Sequence, residues 1–276
     1  MSGRDARAPR VPSAHLANPA NAADDGGLAA LRHAVARLET AWLVPPPAPL
    51  SLGLPELQHH FPGHGLPCGA LHEVMAAAYG DGAAAFGFAA ALTACALHAR
   101  GGPALLVVTR HALAGGLPYG HGLRQLGLDV GRLLLVETRT GKEALWAIED
   151  ILRAQAGAAA VTGVIDSPLD LTMSRRLNLA AAGAGTPLFL LRPPQAAGAS
   201  AATTRWRIAS ASAGRDRFGA FAHGRWRVAL ERCRNGRPGQ WTVEWDHVAY
   251  RFRLAEILAD RAPAAGAAGT SRRHAV

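Results

Sequence analysis

Lysine is almost missing from this sequence. Of its 29 basic residues only Lys142 is not arginine. A phosphate-binding P-loop of the Gly-x-x-x-x-Gly-Lys-Ser/Thr type needs that lysine to reach the outer phosphates, while backbone N–H groups cradle the rest. Lys142 follows Gly141, but Glu143 comes next and Val136 stands five residues before Gly141, so the one lysine lies in no such loop. Cysteine is scarce too. Cys68, Cys95 and Cys233 stand far apart with no Cys-x-x-Cys pair, which argues against a disulfide framework or a cysteine-based zinc site. No Gly-x-Ser-x-Gly nucleophile motif occurs. No apolar stretch reads as long and clean enough to span a bilayer, and the N-terminus lacks the apolar run of a secretory signal. These absences leave a cytoplasmic protein without membrane contact as the expectation.

What is present is a chain of 276 residues, 49% hydrophobic, enough for one large domain or one domain with tails. The formal charge of +9 favours an acidic partner, nucleic acid first among them. Residues 1–27 carry scattered Pro and Arg and the pair Asp24-Asp25, and read as a disordered leader. Residues 28–50 combine a helix over 28–42, with Leu28, Leu31, Val35 and Leu38 at helical spacing, and a stiff linker of Pro45, Pro46, Pro47 and Pro49. From 51 to 200 short apolar strands alternate with helices. Strands fall at 71–75, 104–109, 133–137, 161–166 and 188–191, and helices at 83–100, after Thr140 and at 173–182. This rhythm predicts an α/β fold with a mainly parallel central sheet. Thr140 and Glu143 fit a capping box. Residues 201–261 change texture to Arg- and Trp-rich alternating strands with a turn at 235–239, an antiparallel C-terminal extension of the sheet. Residues 262–276 read as a flexible tail.

Where a P-loop belongs, after the strand at 71–75, the chain reads Tyr-Gly-Asp-Gly-Ala-Ala-Ala-Phe-Gly. Gly80, Asp81 and Gly82 keep the look of a loop. Counted from Gly80, however, Ala85 stands for the second glycine, Phe86 for the lysine and Gly87 for the hydroxyl residue. The loop is thus read as vestigial, with no cofactor expected. Asp166 ends an apolar strand, as a magnesium-linked acid does, but without a phosphate partner it reads as a turn cap. Glu137 is another strand-end acid. His59, His60 and His64 lack a nearby carboxylate or thiol and read as a surface loop, with no metal expected. Residues 124–129, Arg-Gln-Leu-Gly-Leu-Asp, lack the closing aromatic of a clamp-binding peptide and read as a helix-to-strand turn. Residues 201–253 hold eleven arginines against four acids. Arg205 and Arg207 flank Trp206, and Arg225 and Arg227 flank Trp226, so in strands the arginines share a face with tryptophan behind. With Arg232 and Arg234 they form a candidate surface for a protein partner or nucleic acid. A merely solvated arginine face remains an equal alternative.

These residues together resemble the RecA-like family, and within it the ATPase-less ImuA branch, over most of the chain from Leu28 to Phe252. Gly65-Leu66-Pro67-Cys68-Gly69 is similar to the opening of the recombinase core. Residues 71–82 are similar to its first strand and P-loop, 126–152 to its next strand and helix, and 161–168 to its Walker B strand. Residues 229–246, Ala-Leu-Glu-Arg-Cys-Arg-Asn-Gly-Arg-Pro-Gly-Gln-Trp-Thr-Val-Glu-Trp-Asp, resemble ImuA in particular. The resemblance implies a RecA-like three-layer sandwich. It also shows three ATP-handling positions altered together: Phe86 for the lysine, Arg110 for the water-activating Glu, and Arg192 for the γ-phosphate-sensing Gln. No catalytic residue is therefore expected. What the resemblance implies is a non-catalytic accessory of SOS-induced mutagenesis and translesion synthesis. Its implied partners are an ImuB-like Y-family polymerase relative, an error-prone C-family DNA polymerase and RecA, with DNA contact left open. The alternatives it leaves are a SulA-like division inhibitor that caps a filament-forming partner, and an active RecA-like ATPase.

Overall fold

The computed structural model describes residues 47–110, 112, 116–195, 198–215 and 221–255, together with Ala30, which is helical. The chain divides into two units, Met1–Val44 and Pro45–Val276. The expected leader at 1–27, the helix at 28–42 apart from Ala30, and the tail at 262–276 lie outside the described residues. Everything that follows concerns the second unit.

Six strands run parallel: β1 (Leu71–Ala76), β2 (Ala104–Thr109), β3 (Leu133–Thr138), β4 (Ala160–Val164), β5 (Leu188–Arg192) and β6 (Thr204–Ser210). A two-stranded ribbon, β7 (Gly214–Arg215) and β8 (Phe221–His223), stands apart from them. Then β9 (Arg225–Cys233), β10 (Gly239–Asp246) and β11 (Arg251–Leu254) extend the sheet antiparallel from β6. The nine-stranded order is β11-β10-β9-β6-β1-β5-β4-β2-β3. Central strands such as β1, β4 and β5 are buried along their whole length, so their few polar residues, Glu73 and Arg192 among them, must find partners inside. In β6 and β9 burial alternates, because only one face is covered.

Five helices complete the layers: α1 (Pro55–Gln58), α2 (Gly82–Ala99), α3 (Gly120–Gln125), α4 (Gly141–Arg153) and α5 (Leu171–Ala184). α2 fills one face of the sheet, in a core that includes Phe88, Trp206, Trp226 and Trp245. α4 and α5 cover the other face through Leu145, Ile148, Leu177 and Ala181. The result is a three-layer α/β sandwich. Thr140 caps α4 by accepting from the Glu143 N–H at 3.2 Å, while the Glu143 carboxylate reaches back to the Arg139 N–H at 3.0 Å, one residue beyond a simple box. α5 ends at Gly185, whose φ of 61° is the left-handed conformation that glycine adopts at least cost.

The strand at Arg205–Arg207, expected as part of the antiparallel extension, is β6 and pairs parallel with β1, so the extension begins at β9. Three further features differ from the sequence reading. First, the stretch over 51–69 is structured. Leu50 pairs with Leu66 in an isolated antiparallel bridge, and Leu52, Leu54, Leu57 and Phe61 are buried in the core around α2. Second, β11 lies in a short segment whose four residues carry too little alternation to stand out. Third, the 21 residues Tyr79–Ala99 are in fact long and apolar enough to cross a bilayer by length and composition. Their burial explains that character, since α2 is apolar all round and shares one core with the sheet and the 50–66 segment.

Candidate functional site

β1 runs into one turn of 3₁₀ helix, Tyr79–Asp81, and α2 begins at once at Gly82. Nothing is left of a loop long enough to wrap a phosphate chain. Ala85, Phe86 and Gly87 lie inside α2, and Gly80 and Gly82 face open space. The Asp81 carboxylate occupies the helix start. Its Oδ1 accepts from the Ser210 backbone N–H at 2.8 Å and from the Ser210 hydroxyl at 2.7 Å. Those bonds, the backbone one foremost, hold its carboxyl below the usual range. The carboxylate makes no cap bond to the N–H groups of α2 and instead ties the helix start to β6.

Phe86 is half-buried and lines a small apolar cavity with Ala90, Leu106, Leu123, Leu128 and Leu133. The side chain at the lysine position is therefore part of the packing between α2, β2 and the segment under α3. Gly87 serves a close approach: a Cβ there would lie 3.3 Å from Trp226 Cζ2. Arg110, which the sequence resemblance sets at the position of a water-activating Glu, is paired with Glu137 at 2.7 Å on the exposed rim of the sheet. Asp166 is exposed at the end of β4. It sits with Ser167 against the first turn of α4, where a Cβ on Gly141 would fall 1.9 Å from Ser167 Oγ and 3.1 Å from Asp166 Oδ1.

Arg192 has turned inward. Its side chain is 3% exposed, and its Nη1 donates to Glu73 Oε1 at 2.8 Å, while Arg205 Nε donates to Glu73 Oε2 at 2.8 Å. Glu73 is fully buried in the middle of β1, so the three side chains form an Arg–Glu–Arg bridge across β5, β1 and β6. The sequence reading passed over Glu73. The available signal was a lone acid inside the apolar run Leu-His-Glu-Val-Met-Ala, since a buried carboxylate demands a cationic partner. Its neighbour His72, also fully buried, bonds to Thr204 Oγ1 and Pro67 O, both at 2.8 Å. Burial pushes its pKa down to about 4. Thr204 Oγ1 also accepts from Trp206 Nε1 at 2.7 Å, which ties the extension to β1.

Arg205, Arg207, Arg225 and Arg227 share the sheet face turned away from α2, and Trp206, Trp226 and Trp245 are buried on the other. Acids lace this face. Arg207 pairs with Glu231 through two of its nitrogens, and Arg225 pairs with Glu244. On β11 Arg253 pairs with Asp246. Arg232 donates to Ser200 O at 2.8 Å, and Arg234 is exposed in the hairpin turn. Arg227 is exposed and makes no side-chain hydrogen bond among the described residues. It borders a shallow cleft of about 470 Å³ with Arg207, Ala77, Ala209, Ala229 and Thr242. Trp241, half-buried, also lines the cleft, and a stacking surface for unpaired bases would need rings more open to solvent.

The histidines of the 59–64 stretch are put to separate uses. His59 and His64 are exposed and meet edge to face. His60 takes its contact from the carbonyls of Arg237 and Pro238 and packs against Trp241. Among the described residues no group of three or more His, Cys, Asp or Glu could hold a metal ion. In the 124–129 stretch, Leu126 O accepts from Trp245 Nε1 at 2.9 Å, so this turn is an anchor for the extension.

No protein-family model matches the chain. Two curated proteins do, both called Protein ImuA, from two strains of Caulobacter vibrioides. Each is 40% identical over 250 residues, which spans 84% of this chain and 98% of the relative.

Proposed function

The chain belongs to the ImuA family, and on that premise we propose that it is a non-catalytic accessory of SOS-induced mutagenesis and translesion DNA synthesis, built to hold partners. One observation carries the non-catalytic part. At the three positions where a RecA-like ATPase handles its nucleotide, the side chains are committed to the protein itself. Phe86 packs in the core, Arg110 is paired with Glu137, and Arg192 is paired with Glu73. Asp81, just before α2, gives its carboxylate to Ser210. Among the described residues, none of these positions offers a group to hold a triphosphate or activate water.

In this reading the partners are an ImuB-like Y-family polymerase relative and an error-prone C-family polymerase, with RecA as a further candidate. The arginine face of β6, β9 and β10 is the contact surface. Its chemistry suits protein better than DNA. Most of its guanidiniums already carry a carboxylate, which fixes their forks in place for directional hydrogen bonds and removes the charge excess that counterion release needs.

Two measurements test this. Calorimetry of the full chain with ATP and magnesium is expected to show no binding heat, and turnover would end the non-catalytic reading. Capture from DNA-damaged cells, identified by mass, is expected to retrieve the two polymerase relatives. Arg227→Glu should weaken that capture about tenfold or more, as loss of an interface arginine does, without lowering thermal stability. Capture unchanged by the substitution removes the arginine face from the proposal.

A further inference from the structure

The two edges of the nine-stranded sheet are built differently. β11 presents Arg251 and Arg253 among its four residues, and charge of that kind discourages edge pairing. β3 presents Leu133, Leu134, Leu135 and Val136 with no charge before Glu137. Leu134 is 55% exposed and Leu135 47%. Successive strand residues point to opposite faces, so apolar surface is open on both sides of this edge at once. Neither α3 nor α4 closes it.

The backbone of β3 is also polarised. The Thr138 carbonyl accepts from the Arg110 N–H, so residue 138 turns its polar groups inward toward β2. Alternation then turns those of Leu134 and Val136 inward, and those of Leu133, Leu135 and Glu137 outward. Leu135 and Glu137 therefore offer both N–H and C=O along the free side of an apolar edge, and Leu133 its C=O alone, since its N–H is given to the Val130 carbonyl; beyond this edge the sheet order places no further strand among the described residues.

We propose that β3 is a dimerisation strand: a second copy of this chain pairs with it antiparallel, about a two-fold axis through Leu135. The strand is complementary to itself in one register. With Leu135 opposite Leu135 of the second copy, Leu133 falls opposite Glu137, and the outward residues of each copy meet those of the other. Leu134 falls opposite Val136 on the α4 side, where Ala147 and Ile151 are only partly covered. Leu135 meets its own image on the α3 side. A closed two-fold contact of this kind uses one patch twice and stops at two subunits. Neither face of the pairing involves the arginine cleft, so the inference stands apart from the proposed partner surface.

The test uses the purified full chain. Light scattering after size exclusion is expected to give twice the 28.7 kDa chain mass. Leu135→Lys puts a charge on the dyad and should raise the dimer dissociation constant about tenfold or more, because like charges then face each other across the pair. A half-exposed edge position tolerates lysine in the monomer, so thermal unfolding of that variant should remain cooperative. In a Cys233→Ser background, Leu135→Cys should form a disulfide between copies under mild oxidation, because facing Cα atoms about 5.5 Å apart suit one. Leu254→Cys on the opposite edge, itself 43% exposed, should not. A monomer at all concentrations, an open-ended polymer, or equal cross-linking at both edges overturns the proposal.

Discussion

Neutralising Glu73 should cost this protein more stability than neutralising any carboxylate on the arginine face. In Glu73→Gln the bridge loses its only negative charge, while Arg192 and Arg205 keep theirs. The amide also turns an NH₂ toward two donors that had each found an oxygen at 2.8 Å. Arg192, at 3% exposure, has no water to turn to, and Arg205, at 18%, has little. Breaking a buried ion pair from one side costs about 3–5 kcal/mol, because the remaining charge stays buried. With a urea slope of about 2 kcal/mol per molar, the unfolding midpoint should fall by about 2 M. Glu231→Gln supplies the control. It removes an equal charge from Arg207, but this pair is roughly one-third exposed on both sides, so the loss should stay below about 1 kcal/mol. Urea titration followed by tryptophan fluorescence reads both, since Trp206 lies beside the bridge on β6. Equal losses in the two variants would refute the reasoning, and so would a Glu73→Gln loss below about 1 kcal/mol. A triple replacement of Glu73, Arg192 and Arg205 by apolar residues of like size should recover most of the stability, because charge and counter-charge leave together.

Other perturbations follow from the same geometry. Phe86→Lys restores the motif's lysine in name, but the ammonium would enter a cavity lined by Leu106, Leu123 and Leu133; it should lower stability by about 2–4 kcal/mol and still give no ATP heat by calorimetry. His72 titrates near pH 4 when folded and near 6.5 when free, so the unfolded chain binds the extra proton between those values. Its contribution is complete above about pH 6.5 and is lost as pH falls toward 4, by about 3 kcal/mol in all; thermal midpoints from pH 7 to 4.5 should decline more steeply in the wild type than in His72→Gln. Gly141→Ala would ordinarily help a helix by about 1 kcal/mol. Here the added methyl overlaps Ser167, and a loss of about 1–3 kcal/mol in chemical denaturation is expected instead.

Much of the fold was legible because buried parallel strands are continuous apolar runs and the extension alternates cleanly, with tryptophan on one side and arginine on the other. The region over 51–69 was not, because its apolar residues follow neither period. They are placed by the tryptophans of β6 and β10, which lie far along the chain. At the candidate site the composition of the loop predicts a turn without a lysine, but not the partners of the residues around it. Glu137 for Arg110, Glu73 for Arg192 and Ser210 for Asp81 are partners from other strands, and only the sheet order brings them together. The edge position of β3 was hidden for the same reason: an apolar strand reads alike at the centre and at the rim until its neighbours are known.

The hydrogen-bonded ladder that runs from β1 through β6 to β9 has a genetic consequence. A nonsense allele ending at Ser200 would not yield a core that merely lacks its arginine surface. It would strip β6 from β1 and remove Trp206, Trp226, Trp245 and Phe252 from around Phe88. Even a stop after Asp246 would take Phe252 out of that cluster. Late truncations should therefore behave as nulls, with the product cleared by proteolysis. Separation-of-function alleles should be sought among missense changes on the exposed face of the sheet.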